Sequence, residues 1–294
     1  MPGDQIKAKR AGYFTIPLED VRMETDNKIT TTKKRSILLS ILLSVITPGL
    51  GHLYNGKLKT ALIIPISFII ITNIIYHLSL VKSFLFLVIM VIIFISTYLF
   101  AIIHSAVLAI KNREYTLKYF NKAYIYIVFA VIYFGIGEII PANHSIHAFT
   151  MPTTSMEKTI MVKDIFLADM DYYTSNLLKR NDLVLFIDPQ TRNQLALKRV
   201  IAVEGDSIAI SNGKIILNGE LLDENNPGII PETGSQSDME TTVIPASHFF
   251  CMGDNRSNSL DSRMFGPVSV NSIKGKPLYV YFSHSLNRIG EYLE

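Results

Sequence analysis

Four apolar segments, dense in Ile, Leu, Val and Phe, lie between residues 36 and 140 and limit what this chain can fold into more than any other feature. A helix of about 20 apolar residues covers the ~30 Å hydrocarbon core of a bilayer. Leu62–Leu80 and Phe84–Ile110 are long enough to do so, and Ala123–Ile140 is marginal, ending at Pro141. Ile37–Thr47 is too short on its own, because Pro48-Gly49-Leu50-Gly51 interrupts it. The sequence therefore predicts an α-helical membrane region over residues 36–141.

Charge decides how many segments cross. Residues 1–35 hold eight Lys/Arg against five Asp/Glu and lack the apolar core of a cleavable signal, so they read as a polar cytosolic tail. Lys33, Lys34 and Arg35 precede the first segment, and Lys111, Arg113, Lys118 and Lys122 follow the third. Basic residues favour the cytosolic side. Four full crossings would put the second basic group outside and the C-terminal domain in the cytosol. A first segment that is broken or re-entrant keeps both groups inside and sends residues 142–294 outside. The expectation is three crossings plus one broken segment. Pro48–Gly56 also resembles the Pro-Gly-x-Gly…Tyr-x-Gly turn of small two-helix membrane domains.

From residue 142 the pattern changes to short β-branched runs between turn signals. Asp182–Phe186, Leu195–Val203, Ser207–Ile210, Lys214–Leu217, Phe249–Met252 and Leu278–Phe282 read as strands, with Asn212-Gly213 and Asn218-Gly219 as hairpin turns. The domain is mostly β, and residues 207–245 form a small hairpin and loop insertion within which 223–241 is a surface loop. A net charge of +3, with basic residues at membrane flanks, gives no case for nucleic acid. Cys251 is the single cysteine, which excludes an intrachain disulfide and reads as a buried core thiol.

Where the apolar runs end stands Met151-Pro152-Thr153-Thr154-Ser155-Met156. A polar linker accounts for it taken alone, and a nucleophilic serine there needs a base. Of the histidines, His52, His77 and His104 lie in the membrane region, and His144, His147, His248 and His284 lack a distinctive setting. His144 and His147 are three apart, but no third ligand stands near, so no metal is expected. Lys198 sits in the apolar strand Leu195–Val203, sharing a face with Ala196, Val200 and Ala202 on a two-residue period. Desolvation there would lower its pKa, as a general base requires, whereas a snorkelling lysine is the plain alternative. The stretch Gly253–Gly266 packs Gly, Asp, Asn, Ser and Arg directly after a strand, enough for a dense hydrogen-bonded loop around Asp261, Arg256 and Arg263.

Met151–Met156, Asp182-Leu183-Val184, Lys198-Arg199-Val200-Ile201 with Gly205-Asp206, and Gly253–Gly266 resemble, in order, the sequence boxes of bacterial type I signal peptidases. The resemblance covers about residues 149–283. It implies an antiparallel β catalytic core anchored by N-terminal helices, with Ser155 as nucleophile and Lys198 as general base of a Ser-Lys dyad. It further implies that Thr153 and the Ser155 amide form the oxyanion hole, that Ser259 orients the Lys198 amine, and that Asp261 and Arg263 brace the loop. Arg199 follows the base with a structural role. The chain departs from the pattern at Lys158 and Glu204, where the family has proline, and at Thr153, where Ser or Gly is commoner. It also lacks the cysteine pair of some members, and its extra N-terminal segments are unlike the usual one- or two-anchor plan.

The function implied is a membrane-bound serine endopeptidase of the bacterial cytoplasmic membrane, without cofactor. It would remove signal peptides from exported preproteins on the extracytoplasmic side, in functional proximity to the secretion translocon. Small substrate residues would be selected by shallow apolar pockets lined with Ala and Ile. Two alternatives stand beside it: a maturation protease dedicated to one pilus or secretion-system substrate, and a non-catalytic membrane scaffold with a decayed protease domain. Self-cleaving repressors share a related core but need a DNA-binding helical module that this chain lacks.

Overall fold

The computed structural model describes residues 32–77, 80–112, 114–139, 145–191, 194–224, 226–231 and 238–293. The N-terminal tail up to residue 31, His144, and residues 225 and 232–237 of the long loop lie outside the described residues. The chain divides into two compact units, one of residues 1–67 and 97–137, the other of residues 68–96 and 138–294.

In the first unit the interrupted apolar segment folds as two short helices, α1 (Ile37–Ile46) and α2 (Leu50–Tyr54). Ser36 caps α1 by accepting the Leu39 amide, and Gly49, at φ +106, turns the chain between them. The ends of this hairpin meet: the Ser36 amide donates to the Tyr54 hydroxyl at 2.9 Å, and the Arg35 guanidinium lies over the Tyr54 ring. Gly51 is obligatory here, because a Cβ would fall 2.0 Å from Ser44 Oγ and 2.9 Å from Ser105 Oγ. Those two hydroxyls bond each other at 2.7 Å, and Asn55 donates to Ser40 Oγ and the Ser105 carbonyl, so these four buried residues are tied to one another.

Two long helices follow, α3 (Leu58–His77) and α4 (Phe84–Lys111), and these are the helices long and apolar enough to cross a bilayer among the described residues. A further helix, α5 (Ala123–Ile139), has 17 residues and would cover ~26 Å at 1.5 Å per residue. Strand β1 (Thr32–Lys34) pairs antiparallel with β2 (Glu114–Thr116), joining Lys33 to Tyr115 and Lys34 to Glu114. The segment before α1 and the loop after α4 are therefore neighbours.

The second unit holds the β domain, which begins at residue 145. Strands β3 (Ile146–Thr150), β4 (Ile165–Asp169), β5 (Leu183–Ile187), β6 (Leu195–Val203), β11 (His248–Met252), β12 (Val268–Ser269) and β13 (Ile273–Phe282) form one antiparallel sheet in the order β12-β11-β6-β5-β13-β4-β3. Strands β7 (Ser207–Ser211), β8 (Lys214–Leu217), β9 (Glu220–Leu221) and β10 (Met239–Val243) make a second sheet, β10-β7-β8-β9. Its turns are Asn-Gly pairs with positive φ at both residues: Asn212 +51 and Gly213 +72, Asn218 +54 and Gly219 +84. That matches the right-handed twist of the strands they join. Short helices α6 (Tyr172–Ser175) and α7 (Ser262–Phe265) complete the unit.

The predicted class, apolar N-terminal helices followed by a mostly antiparallel β domain, is the one observed. β13 is longer than its sequence signal because it changes partner midway. Ile273 and Gly275 pair with β5, and Lys276–Phe282 with β4, which lets Pro277 sit at a register shift. β3 and β4 carried no prediction, and β10 falls partly in the stretch read as a loop.

Candidate active site

Ser155 is 8% exposed and lies on the turn that follows β3. The turn is held from both sides. Its Met151 end exchanges backbone bonds with Asp164 and Lys163, and the Asn255 amide donates to the Ser155 carbonyl at 3.0 Å. Asn255 Nδ2 donates to the Thr154 carbonyl at 3.1 Å, and Asn258 Nδ2 to Thr154 Oγ1 at 2.8 Å. Met156 is fully buried, so the residue after the serine is a core anchor. Thr153 Oγ1 stands 3.2 Å from Ser155 Oγ. Lys158 has φ +77, a conformation closed to proline, which accounts physically for that departure from the family's residue.

Lys198 stands on β6 opposite Val184 and is 5% exposed. It makes no hydrogen bond or ion pair among the described residues. Burial lowers its pKa from the usual lysine value, and the negative charge of Asp261 opposes that only in part. Val184, Val200 and Cys251 share a core cluster on this part of the sheet, with Ala196 against it. Ala202, expected on the same face, packs instead with Ile201, Ile208 and Phe250. A register shift between Phe250 and Cys251, opposite Val200–Ala202, breaks the two-residue alternation there.

Ser155 and Lys198 line one cavity of about 390 Å³ together with Thr153, Asp188, Asn258 and Leu260. Its apolar wall comes from Phe149, Met151, Phe166, Leu185, Leu197 and Ala196. Ala196 was anticipated, but no isoleucine lines the cavity among the described residues, and larger Phe, Met and Leu side chains take that part. No histidine lines it either; His147 lies on the exposed face of β3.

The Gly253–Gly266 loop follows β11. Asp261 caps α7 and accepts from the Gly253 amide at 2.9 Å and from Arg263 Nε and Nη2, each at 2.9 Å. Burial works to raise the Asp261 carboxyl, but the hydrogen bonds and charge of Arg263 outweigh it, and the pKa lies below the ordinary range. Arg263 also donates to the Arg256 carbonyl, and Arg256 to that of Gly253. Ser259 Oγ is buried close to the Asp261 carboxylate, whose pKa it helps to lower. It presses against Gly253, where a Cβ would stand 2.2 Å from that hydroxyl and 2.5 Å from the Ser155 carbonyl. Only glycine lets the Ser259 segment and the serine turn meet.

Arg199 points away from Lys198 and is the largest fully buried side chain among the described residues. Its Nε and Nη2 hold Asp254 at 2.9 and 2.8 Å, and Thr159 Oγ1 donates to the same carboxylate. Sequence reasoning missed Gly253, Asp254, Asn255 and Asn258 as the groups that fix the serine turn. The run Gly-Asp-Asn-Arg was visible, but which chain segment it would grip was not.

A chain with two helices long and apolar enough to cross a membrane thus also carries an antiparallel β domain, in which a buried serine and a desolvated lysine line one cavity, as in a serine hydrolase. The family described as signal peptidase, peptidase S26, matches residues 120–282, more than half of the chain, and this protein belongs to that family of serine endopeptidases. Signal peptidase I of Leptolyngbya laminosa is 29% identical over 148 residues, covering 48% of this chain and 70% of that one. Signal peptidase I of Pseudomonas aeruginosa is 28% identical over 226 residues, covering 60% and 77%. Thylakoidal processing peptidase 1 of Arabidopsis thaliana is 29% identical over 146 residues, covering 46% of this chain and 42% of its own length.

Proposed function

We propose that this protein removes N-terminal signal peptides from exported preproteins through a Ser155–Lys198 dyad, with the β domain on the extracytoplasmic face of the membrane. The observation that carries the chemistry is Lys198, a buried amine that makes no ion pair among the described residues and shares its cavity with Ser155. Ser155 Oγ attacks the scissile carbonyl carbon and passes its proton to the neutral Lys198 amine. The oxyanion is held by the Ser155 amide and the Thr153 hydroxyl. Lys198 then protonates the leaving amine, releasing the mature protein and leaving the signal peptide esterified to Ser155. Water, deprotonated by Lys198, hydrolyses the ester. Ser259 supplies a buried hydroxyl on the adjoining loop for orienting the amine.

The substrate can enter as a strand. β11 pairs with β6 from Arg199 onward, so the edge Leu195–Lys198 has no partner on that side among the described residues and can take an extended peptide. The cavity wall of Phe149, Phe166 and Leu185 then leaves room for small side chains ahead of the cut.

Parity supports this orientation. β1 and β2 are paired, so residues 32–34 and 114–116 share one side, and an even number of crossings separates them. The α1–α2 hairpin returns to its start at Ser36–Tyr54, leaving α3 and α4 as those two crossings. α5 is then a third, carrying the β domain across. The shared side bears Lys33, Lys34, Arg35, Lys111, Lys118 and Lys122, which favours the cytosol for it.

The test is processing of a preprotein by the full chain in liposomes, read by N-terminal sequencing of the product. Ser155→Ala and Lys198→Ala are each expected to abolish cleavage, and near-normal processing by either would refute the dyad. A reporter fused after Glu294 should be extracytoplasmic.

A further inference from the structure

We propose that the turn between α3 and α4 is a strut that sets the height of Ser155 above the bilayer, with Lys82 and Phe84 as its positioning residues. This rests on the peptidase reading above and extends it to how the cleavage position is chosen. Leu80–Lys82 forms a single helical turn that belongs to the same compact unit as the β domain. Lys82 Nζ lies 2.6 Å from Asp169 Oδ2, whose side chain is 1% exposed. The Tyr279 hydroxyl donates to the Val81 carbonyl at 2.7 Å. The Phe84 amide donates to the Tyr292 hydroxyl at 3.2 Å, and its ring meets Tyr279 edge-on with centroids 5.5 Å apart. Gly290, at φ +88, leaves the space the Phe84 ring fills, since a Cβ there would stand 2.4 Å from it.

Reversing the chain between two membrane helices requires none of this. A connector facing water needs no buried carboxylate for its lysine and no tyrosine hydroxyls from a C-terminal strand and tail. The contacts instead tie two lipid-rooted helices to the strands that carry the nucleophile. Asp169 pairs with Ile146 at the start of β3, and Thr150 at its end leads into the Ser155 turn. Four strand steps, ~13 Å, separate the anchor from that turn. With α3 and α4 fixed in the bilayer, Lys82 and Phe84 hold β3 and β4, and so Ser155, at one height. A signal peptide presents its cleavage site at a height set by the residues between its apolar stretch and the cut. A nucleophile at fixed height would select among those spacings.

The experiment uses the full chain in liposomes with two substrate types. One is a soluble peptide spanning a cleavage site. The other is a series of membrane-embedded preproteins in which the spacing from apolar stretch to cleavage site is varied residue by residue. Wild type should show a peak of kcat/KM at one spacing. In Lys82→Met/Phe84→Ala, peptide cleavage should stay within about twofold while the peak falls about tenfold to a hundredfold, the cost of displacing a reacting group by an ångström or so. The profile should also flatten, and Lys82→Arg should restore the peak. Because a buried, unpaired Asp169 threatens folding, Lys82→Met/Asp169→Asn serves as the second variant, removing both charges. A peak that persists in both variants overturns the strut. So does an equal fall on peptide and embedded substrates in both, which is the mark of a merely destabilised domain. A wild-type protein that cleaves neither substrate overturns the peptidase reading itself.

Discussion

Arg199→Met should be among the most destabilising single substitutions in the β domain, and its cost can be worked from the geometry. The guanidinium is 2% exposed and its partner Asp254 is fully buried. Two hydrogen bonds join them, and Arg199 Nη1 donates a third to the Asn181 carbonyl at 3.0 Å. A surface pair of this kind would contribute ~0–1 kcal/mol. Here removal of the arginine leaves a carboxylate in the interior with the Thr159 hydroxyl to solvate it among the described residues, and breaking a buried pair costs ~3–5 kcal/mol. For a domain of roughly 150 residues each kcal/mol shifts Tm by about 2–4 °C, so the midpoint should drop by about 6–20 °C. Arg199→Met/Asp254→Leu removes both charges and should recover most of that loss. The chain has 14 tyrosines and no tryptophan, so near-UV tyrosine dichroism of the full chain in detergent reports tertiary packing during heating. A midpoint for Arg199→Met within 2 °C or so of wild type would refute the reasoning, as would a double variant no better than the single one. Activity well below the midpoint separates a structural role from a catalytic one. Folded Arg199→Met should retain measurable turnover, whereas Lys198→Ala should have none at any temperature.

Three further outcomes are expected. The rate should rise with pH as the Lys198 amine loses its proton, with an apparent pKa below the ordinary 10.5, because burial disfavours the ammonium; a rise first seen at or above that value would contradict a desolvated base. The same shift means that between the folded and unfolded pKa the unfolded chain binds the extra proton, so stability rises with pH across that window. Lys198→Met should therefore raise the midpoint at neutral pH, and the gain should shrink toward pH 10.5. Thr153→Val should lower kcat about a hundredfold to a thousandfold with KM little changed, the usual loss on removing an oxyanion donor, and Thr153→Ser should restore it. Gly253→Ala would put a methyl within 2.5 Å of the Ser155 carbonyl; it should abolish processing while Gly219→Ala, in an open hairpin turn, does not.

The long helices and the strands β5–β8 and β11 were legible because their apolar patterns are local. Leu195–Val203 has the bounds that its composition predicts, and each Asn-Gly pair turns a hairpin. Ser155 and Lys198 were legible through the order of the sequence boxes, which bring them to one cavity. What stayed hidden depends on contacts distant in sequence. Asn255 reaches Ser155 across 100 positions, Asp254 reaches Arg199 across 55, and Lys82 finds Asp169 across 87, with nothing in either partner's neighbourhood to announce the other. β3 went unread because Ile146–Thr150 is an edge strand with a His147-Ala148 centre, only partly buried and without the alternation that marks a core strand. The Ala202 face was misplaced because alternation assumes an unbroken ladder, and a bulge cannot be read from composition.

Positions 198 and 199 divide two cationic roles between neighbours, and the choice of residue at each is physical. Consecutive side chains on a strand leave opposite faces. Lys198 enters the cavity, where the base of the proposed mechanism must be able to shed its proton, and a lysine does so once it is desolvated. Arg199 enters the opposite face against Asp254, where a permanent charge with a planar fork can satisfy both carboxylate oxygens at once. Exchange should therefore fail in different ways. Lys198→Arg would carry a charge that cannot be removed near neutral pH, and should be inactive yet folded. Arg199→Lys keeps the charge but makes one contact where the fork makes two, and should lose stability while keeping a pH profile like that of wild type. A Lys198→Arg protein that processes preprotein, or an Arg199→Lys protein whose pH profile moves with its stability unchanged, would reverse the assignment of base and brace.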